Sequence, residues 1–455
     1  MKVLDTSLEY KGKFWVSGNY KNRKNGILKF KEEIAYIDLF DSFDEPPFHQ
    51  NFREKMCCIQ GLLDNYQYCV FNDCSLGLSH GAFASTLINF ELMYYSVNEN
   101  LVTQNVQFEE MGFELDCLEK WVNHSGFEHF DNENELGVKR VPENLKLVEL
   151  FSNEDYKIRI HHTSTIPFIN PKSEWILTQK TSLVLEIIKD VKVDELFLFV
   201  DKIHELFILL MGNKVSLLSN FEVKGSDGKM YNGYKNNTKF SKVNRRGLNS
   251  YILSLDEIMK QGDIKDFFYS WMELYKDYEY SIELVVNSLS DDNLNQQNKF
   301  INLMYALDVI QQKDLTQEFK EERILSLTDS KIIKKLVEFG VDGNTVNSVK
   351  SKLQKKNTPK LKDKIEKLLA PYSTFIESEF NLNFKDFIVL IVNTRNFLAH
   401  ENNSSPKLNE LSDFYIYNNL LVSLLSMIFF SKLNISNDMA ESLMRRRTSF
   451  VRPNK

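Results

Sequence analysis

The chain has 455 residues, too many for one ordinary domain core, and its length predicts two or three domains. A composition of 43% hydrophobic and 26% charged residues is typical of a soluble globular protein and excludes wholesale disorder. The formal net charge of −7 excludes a uniformly basic protein, so nucleic acid would need a local basic surface.

The first 190 residues predict a mostly antiparallel β-sheet. They are rich in aromatic and β-branched residues, and Gly, Asn and Asp interrupt them at short intervals, as in strands joined by turns. The predicted strands are residues 12–16, 26–30, 34–39, 57–62, 68–71, 90–97, 156–160 and 182–188. Residues 112–121 are compatible with a short helix or with the start of a strand.

All five cysteines lie in the first 120 residues, and no signal peptide precedes Tyr10. They are Cys57, Cys58, Cys69, Cys74 and Cys117. This odd number favours reduced thiols in the cytoplasm. The apolar runs around them predict buried strand positions, and the paired two-residue knuckles of a zinc site are lacking even with His80 nearby. We therefore predict no metal and no cofactor.

A helix and then a linker are predicted to end the N-terminal domain. Residues 193–211 have apolar side chains at helical spacing, and Gly212 stops the pattern. His204 lies near the apolar face of this helix and is expected in the core or at its rim. Residues 223–246 are rich in Gly, Asn, Lys and Ser, as linkers are. The predicted division is a β-rich domain of residues 1–222, a linker of residues 223–253 and a helical domain of residues 254–455.

The sequence beyond the linker predicts an all-α bundle, so the fold class is α+β with a β-rich N-terminal domain. A capping box at Ser254 and Glu257 starts the first helix. Further helices are predicted at residues 267–289, 298–312, 329–339 and 346–355. Residues 384–433 predict two more, separated by turn formers at residues 401–406. Residues 414–431 lack charge, but their strictly apolar part is too short to cross a membrane, so a buried bundle helix is predicted.

Arg395, Asn396 and His400 lie just before this break and are the candidate catalytic residues. A helix C-terminus favours a protonated imidazole at His400, and the Asn396 amide is able to orient a neighbour or to hold a phosphate oxygen. Five residues of ideal helix would turn Arg395 and His400 about 140° apart. We expect the helix end near His400 to relax that constraint.

The segment Arg395-Asn396-Phe397-Leu398-Ala399-His400 resembles the Arg-x4-6-His signature of the HEPN ribonucleases. Residues 300–310 resemble the helix of Apea-type HEPN proteins, antiphage abortive-infection ribonucleases, in which an apolar run carries an acidic residue. Asp308 stands where that family is expected to have Glu, and we expect it to support the site by pairing with Arg395. Residues 358–365 resemble the basic start of a family helix, and Leu115, Leu118 and Trp121 resemble its N-terminal region.

The resemblance implies a metal-independent endoribonuclease that cuts cellular RNA, such as tRNA, in abortive infection. In that role Arg395 contacts the phosphate, His400 transfers protons and Asn396 orients its neighbours. Since His400 is the only histidine after His204, the base and the acid would have to come from two copies, which implies a homodimer. The N-terminal domain is then expected to sense a trigger such as a phage protein and to restrain the nuclease, with no membrane involved.

A basic stretch in the helical domain is the candidate RNA-binding surface. Residues 331–367 hold eleven lysines against four acidic residues. The residues predicted to bind RNA are Lys350, Lys352, Lys355, Lys356 and Lys360, with Arg445, Arg446 and Arg447 in a basic tail. A solvated helix face and a disordered tail explain the same residues without a function.

The competing interpretation is a non-catalytic adaptor that binds nucleic acid or protein. It makes Arg395 part of a helix-end ion pair and His400 a capping residue. A metal-dependent nuclease is not favoured, because no carboxylate cluster has suitable spacing.

Overall fold

The computed structural model describes residues 4–31, 34–41, 43, 57–76, 86–96, 108–132, 135–141, 147–165, 178–189, 191, 193–217, 220–226, 228–236, 253–291, 293–322, 327–356, 360–400 and 407–448. The chain divides into two compact units, Met1–Tyr269, here called the β unit, and Ser270–Lys455, here called the helical unit. This division falls later in the chain than the predicted domain start at residue 254.

The described part of the β unit contains fifteen strands and three complete helices. The strands are β1 (Tyr10–Val16), β2 (Lys24–Lys31), β3 (Ile34–Leu39), β4 (Cys57–Leu63), β5 (Tyr68–Leu76), β6 (Thr86–Asn89), β7 (Leu92–Ser96), β8 (Phe108–Phe113), β9 (Phe127–Asn132), β10 (Glu135–Arg140), β11 (Val148–Ser152), β12 (Tyr156–Thr165), β13 (Thr178–Ile187), β14 (Asn220–Gly225) and β15 (Met230–Lys235). The helices are α1 (Leu118–Val122), α2 (Val193–Met211) and α3 (Leu255–Gln261). All eight predicted strands are present, α2 has its predicted bounds, and α3 starts at the predicted capping box of Ser254 and Glu257.

One antiparallel sheet holds most of these strands, and part of it closes into a barrel. The strands β5, β4, β1, β2, β3 and β6 pair in that order, and β6 pairs with β5 again, which closes a ring of six. β7 pairs with β5 beside the ring and continues through β15, β14, β8, β13 and β12 to β11 at the open edge. Phe14, Leu28 and Phe71 belong to one fully buried apolar cluster of the ring strands. The prediction of a mostly antiparallel N-terminal sheet is confirmed.

The predicted linker was wrong over residues 223–235. β14 and β15 occupy this stretch, pair with each other, and lie between β8 and β7 in the sheet. The glycines that indicated a linker belong to a packed hairpin instead. Gly233 leaves room for the ring of Phe221, which a Cβ atom at that position would overlap. Residues 237–252 of the predicted linker lie outside the described residues.

The helical unit is a bundle. Its described helices are α4 (Ile264–Ser290), which begins in the β unit, α5 (Gln296–Glu322), α6 (Leu327–Glu338), α7 (Gly343–Lys356), α8 (Leu361–Leu369), α9 (Ser373–Phe380), α10 (Phe384–His400), α11 (Leu411–Lys432) and α12 (Asn437–Thr448). Every helix predicted from periodicity is present, and the prediction of a helical C-terminal region is confirmed. α9 and α12 were not predicted.

α11 is the central helix of this bundle. Its residues from Leu420 to Phe430 are buried on every side, and it packs against α5 and α12. Within the part of the chain that the structure describes, α11 is the one helix long and apolar enough to cross a membrane. Most of its apolar stretch is buried inside the unit, as in the core helix of a globular protein.

Candidate active site

α10 begins at a side-chain cap and is held by one apolar face. Oδ1 of Asn383 accepts hydrogen bonds from the backbone N of Lys385 at 3.0 Å and of Asp386 at 3.2 Å. The helix packs against α5, α8 and α9. Its buried residues include Phe387, Ile388, Ile391 and Val392. The candidate catalytic residues lie in the last two turns of this anchored helix.

Arg395 is half-buried and has no carboxylate partner among the described side chains. Its Nη1 donates a hydrogen bond to Oδ1 of Asn396 at 3.3 Å. Its guanidinium carbon lies 5.6 Å from the ring centroid of Tyr305 on α5. An amide oxygen and an aromatic ring hold a guanidinium without neutralising its charge. The described side chains that contact Arg395 are therefore both uncharged.

Asp308 does not pair with Arg395, contrary to the prediction. Its Oδ1 accepts a hydrogen bond from Nε2 of Gln311 at 2.8 Å, and no ion pair joins the two residues within the described structure. Gln311 is only 2% exposed, so this bond keeps the carboxylate along α5. An aspartate has one methylene fewer than a glutamate, which shortens its reach. Tyr305, one turn earlier on α5, contacts Arg395 instead.

Thr394 ties the chain beyond the break back to α10. It is fully buried, and its hydroxyl donates to the backbone O of Leu390 at 2.8 Å and accepts from the backbone N of Leu408 at 3.0 Å. Nζ of Lys407 lies 3.2 Å from the ring centroid of Phe397. These two contacts fix where the chain returns after residues 401–406, which lie outside the described residues. The chain therefore returns beside Thr394, the residue that directly precedes Arg395.

His400 is the last residue of α10, as predicted, and its side chain lies outside the described part of the structure. Because the helix includes both residues, the backbone positions of Arg395 and His400 differ by about 140° around the helix axis. The expectation that the break relaxes this constraint is not met by the backbone. Within one chain, α10 therefore directs these two positions to different sides.

Two family models match the chain. The one described as ApeA N-terminal domain 1 matches residues 9–268, and the one described as Apea-like HEPN matches residues 301–439. The chain belongs to the ApeA-type HEPN family. HEPN domains are generally ribonuclease-like antiphage effectors, and the HEPN match includes the whole of α10. No curated protein and no solved structure matches the chain.

The lysines predicted to bind RNA lie on α7 and just before α8 of the HEPN domain. Lys350, Lys352 and Lys360 are exposed, while the side chains of Lys355 and Lys356 lie outside the described residues. α7 packs against α6, and α8 packs against α10 and α5. Lys360 thus directly precedes a helix that packs against α10, the helix of the candidate site.

The predicted basic tail of the HEPN domain begins as a helix. Nη1 of Arg445 on α12 donates to Oε1 of Glu379, whose side chain is 5% exposed, and Nη2 lies 3.5 Å from Oε2 of Glu441. These acidic partners make Arg445 a structural residue and argue against its predicted role in binding RNA. Arg446 is exposed, and the side chain of Arg447 lies outside the described residues.

The histidines and cysteines of the β unit are structural where they are described. Cys69, Cys74 and Cys117 are buried free thiols, and burial raises the pKa of Cys117 well above its usual value. His204 is buried, as predicted, with Nε2 2.7 Å from the backbone O of Val215. Among the described side chains, no three His, Cys, Asp or Glu residues are grouped so that they could hold a metal ion.

Tyr305 and Thr394 are site residues that the sequence interpretation missed. Tyr305 lies one turn before Asp308 in the apolar run of α5, and Thr394 directly precedes Arg395. The available signal for Tyr305 was an aromatic residue with a polar hydroxyl inside the apolar run of residues 300–310. Thr394 gave no signal, because a buried threonine inside a helix is most often a packing residue.

Proposed function

We propose that this ApeA-type HEPN protein is a metal-independent endoribonuclease that cleaves cellular RNA, with tRNA as a candidate substrate. It acts in the cytoplasm, in antiphage defence by abortive infection. The observation that supports this proposal most is the state of Arg395. A half-buried guanidinium with no acidic partner among the described residues lies five positions before a histidine at the end of the same helix. This combination supplies a phosphate-binding cation and a proton carrier.

Cleavage of RNA without a metal needs a base, an acid and a cation. The base removes the proton of a ribose 2′-OH, and the 2′-oxygen attacks the adjacent phosphorus. The bond from phosphorus to the 5′-oxygen then breaks as the acid protonates that oxygen, which leaves a 2′,3′-cyclic phosphate and a 5′-OH. In this proposal Arg395 stabilises the charge of the pentavalent phosphorane, His400 transfers protons, and Asn396 orients Arg395 through its Oδ1.

A homodimer through the helical unit is part of the proposal. Each chain has one histidine in the helical unit, His400, so one copy lacks either the base or the acid. Within one α10, the backbone positions of Arg395 and His400 lie about 140° apart around the axis. Two copies of α10 meeting around a two-fold axis would bring two histidines and two arginines to one cleft. The exposed lysines of α7 and α8 would bind the RNA backbone beside it.

The β unit is proposed as the regulatory part. An unrestrained nuclease acting on cellular RNA is toxic, so activity needs a trigger, for which a phage protein is the candidate. The adaptor interpretation remains the competing function. It assigns Arg395 to a helix-end ion pair, whereas the described contacts of Arg395 are Asn396 and Tyr305.

The deciding experiment compares full-length wild type with His400→Ala on purified cellular RNA, with chelator present. Wild type is expected to produce fragments that end in 2′,3′-cyclic phosphate, and His400→Ala is expected to lose this activity while keeping its thermal midpoint and dimer mass. His161→Gln, a half-buried histidine of the β unit, is the matched control and should cleave normally. Equal cleavage by wild type and His400→Ala would overturn the assignment. No cleavage by either, with RNA bound by both, would favour the adaptor.

A further inference from the structure

The aromatic contact of Arg395 carries an inference of its own, which rests on the proposed function. We propose that Tyr305 is the positioning residue for Arg395, whose charge and donors it leaves intact for a phosphodiester of RNA. The guanidinium carbon of Arg395 lies 5.6 Å from the ring centroid of Tyr305, within the range of a cation–π contact. Tyr305 is 36% exposed and Arg395 is half-buried, so both residues are partly accessible in the described structure.

The type of partner determines how many N–H donors and how much net charge an arginine keeps for a ligand. A carboxylate would take up two of its N–H groups and neutralise its charge. An aromatic ring attracts the cation through its electron-rich face and uses no N–H group. Within the described structure, the bond to Oδ1 of Asn396 is the one side-chain hydrogen bond of Arg395, so in this proposal its other donors bind phosphate oxygens.

Asp308, the acidic residue of α5 that was predicted to pair with Arg395, forms a hydrogen bond with Gln311 instead. Asp308 lies one turn after Tyr305, so it shares that side of the helix. Its Oδ1 is bound by Nε2 of Gln311 at 2.8 Å, and Gln311 is almost fully buried. α5 thus contacts Arg395 through the ring of Tyr305, while the carboxylate of Asp308 is bound to Gln311. Both features serve the same end, a guanidinium that is fixed in place and still charged.

The test is a double-mutant cycle on RNA binding in the full-length chain. All variants carry His400→Ala, so binding is measured without cleavage, using a fluorescent 12-nucleotide single-stranded RNA. Tyr305→Leu is expected to weaken binding about three- to tenfold, the scale of a cation–π contact, and Tyr305→Phe to stay within about twofold of the parent. In the Arg395→Ala background, Tyr305→Leu is expected to change binding less than about twofold, because Tyr305 acts through Arg395.

Three results would overturn the inference. Tyr305→Leu binding as tightly as the parent would show that the ring does not matter. A loss of the same size in the Arg395→Ala background would show that Tyr305 contacts RNA directly. Tyr305→Phe binding as weakly as Tyr305→Leu would assign the effect to the hydroxyl. Tyr280→Leu, which changes an exposed tyrosine on α4, is the control and should bind normally.

Cleavage by chains that retain His400 tests the proposed function separately. If wild type fails to cleave but the binding cycle gives the expected pattern, Tyr305 positions Arg395 in an RNA-binding protein that is not a nuclease. If wild type cleaves and the cycle shows no coupling, the nuclease stands and the role of Tyr305 is wrong.

Discussion

Ion pairs occur in both units, and Arg395 differs from the cations that form them. In the β unit, Nζ of Lys29 lies 2.7 Å from Oδ2 of Asp38, and Nη2 of Arg159 lies 3.4 Å from Oε2 of Glu110. In the helical unit, Arg445 has acidic partners of the same kind, whereas Arg395 has none among the described residues. Arg23 of the β unit, which contacts the rings of Trp15 and Tyr20, shows that aromatic contacts alone do not mark a phosphate site, so the position of Arg395 five residues before His400 on one helix is the distinguishing feature.

Arg395→Lys is the change with the largest expected effect. Lysine keeps the charge but lacks the planar fork that binds two phosphate oxygens. We expect the rate of RNA cleavage to fall by about 100-fold or more, the scale of a lost transition-state contact. The thermal midpoint should stay within roughly 2 °C, because Arg395 has no ion pair to lose. Initial cleavage rates and thermal unfolding of the same preparation measure both.

Arg445→Lys is the matched control for that change. It substitutes the same pair of residues in the same unit, but at a position with acidic partners. Its cleavage rate per folded molecule should stay within about twofold of wild type. If both substitutions reduce cleavage equally, the distinction between the two arginines is wrong.

Arg445→Ala should instead act on stability. It removes the guanidinium that pairs with Glu379, whose side chain is 5% exposed. Removing one partner of a fully buried pair costs about 3–5 kcal/mol, and the partial exposure of Arg445 reduces this to about 2 kcal/mol. For a unit of this size we expect the thermal midpoint to fall by roughly 4–8 °C. Calorimetry on the full-length chain measures this shift, and a midpoint unchanged from wild type would show that the pair contributes nothing.

Thr394→Val tests the tie between α10 and the chain beyond the break. Valine has the shape of threonine but leaves the backbone N of Leu408, a buried residue, without its acceptor. The loss should cost about 1–2 kcal/mol and also lower the cleavage rate, because the segment that follows His400 is less well fixed. Ser423→Ala is the control, since that buried hydroxyl bonds only to the carbonyl of Asn419 on its own helix. An undiminished cleavage rate in Thr394→Val would show that this tie is not part of the site.

The sequence predicted helix α10 and its end well, and the contacts around Arg395 poorly. Local signals were sufficient for α10, because apolar periodicity and the turn formers at residues 401–406 both act within a few residues. The partners of Arg395 come from α5, about ninety residues away, and periodicity says nothing about which helices touch. Opposite charges suggest a pair between Asp308 and Arg395, and only the structure shows that Gln311 holds the carboxylate and that Tyr305 contacts Arg395.

In the β unit, too, the sequence predicted local elements better than it predicted the contacts between them. Its strands were predictable where buried and less buried side chains alternate along the chain, as in β3, and where short turns separate the strands. β14 and β15 were taken for a linker because Gly, Asn and Lys are also common in loops. Gly233 is in fact required inside the sheet, where the ring of Phe221 occupies the space of a side chain. A glycine such as Gly233 can indicate either a flexible linker or close packing in a sheet, and the contact that decides between them is made with another strand.

The smallest effect is expected at His162, a histidine of the β unit whose role is structural. Burial, and secondarily His124 and His161, lowers the pKa of His162 below 6.5. As the pH falls below 6.5, the unfolded chain gains a proton here before the folded chain does, so stability falls until the folded pKa is passed. His162→Gln should remove this decrease in stability, which corresponds to a fall of roughly 2 °C or less in the thermal midpoint between pH 7.5 and pH 5.5. His161→Gln should keep most of it, because burial is the main cause at His162. Identical pH profiles for wild type and His162→Gln would show that this histidine is not held neutral by the fold.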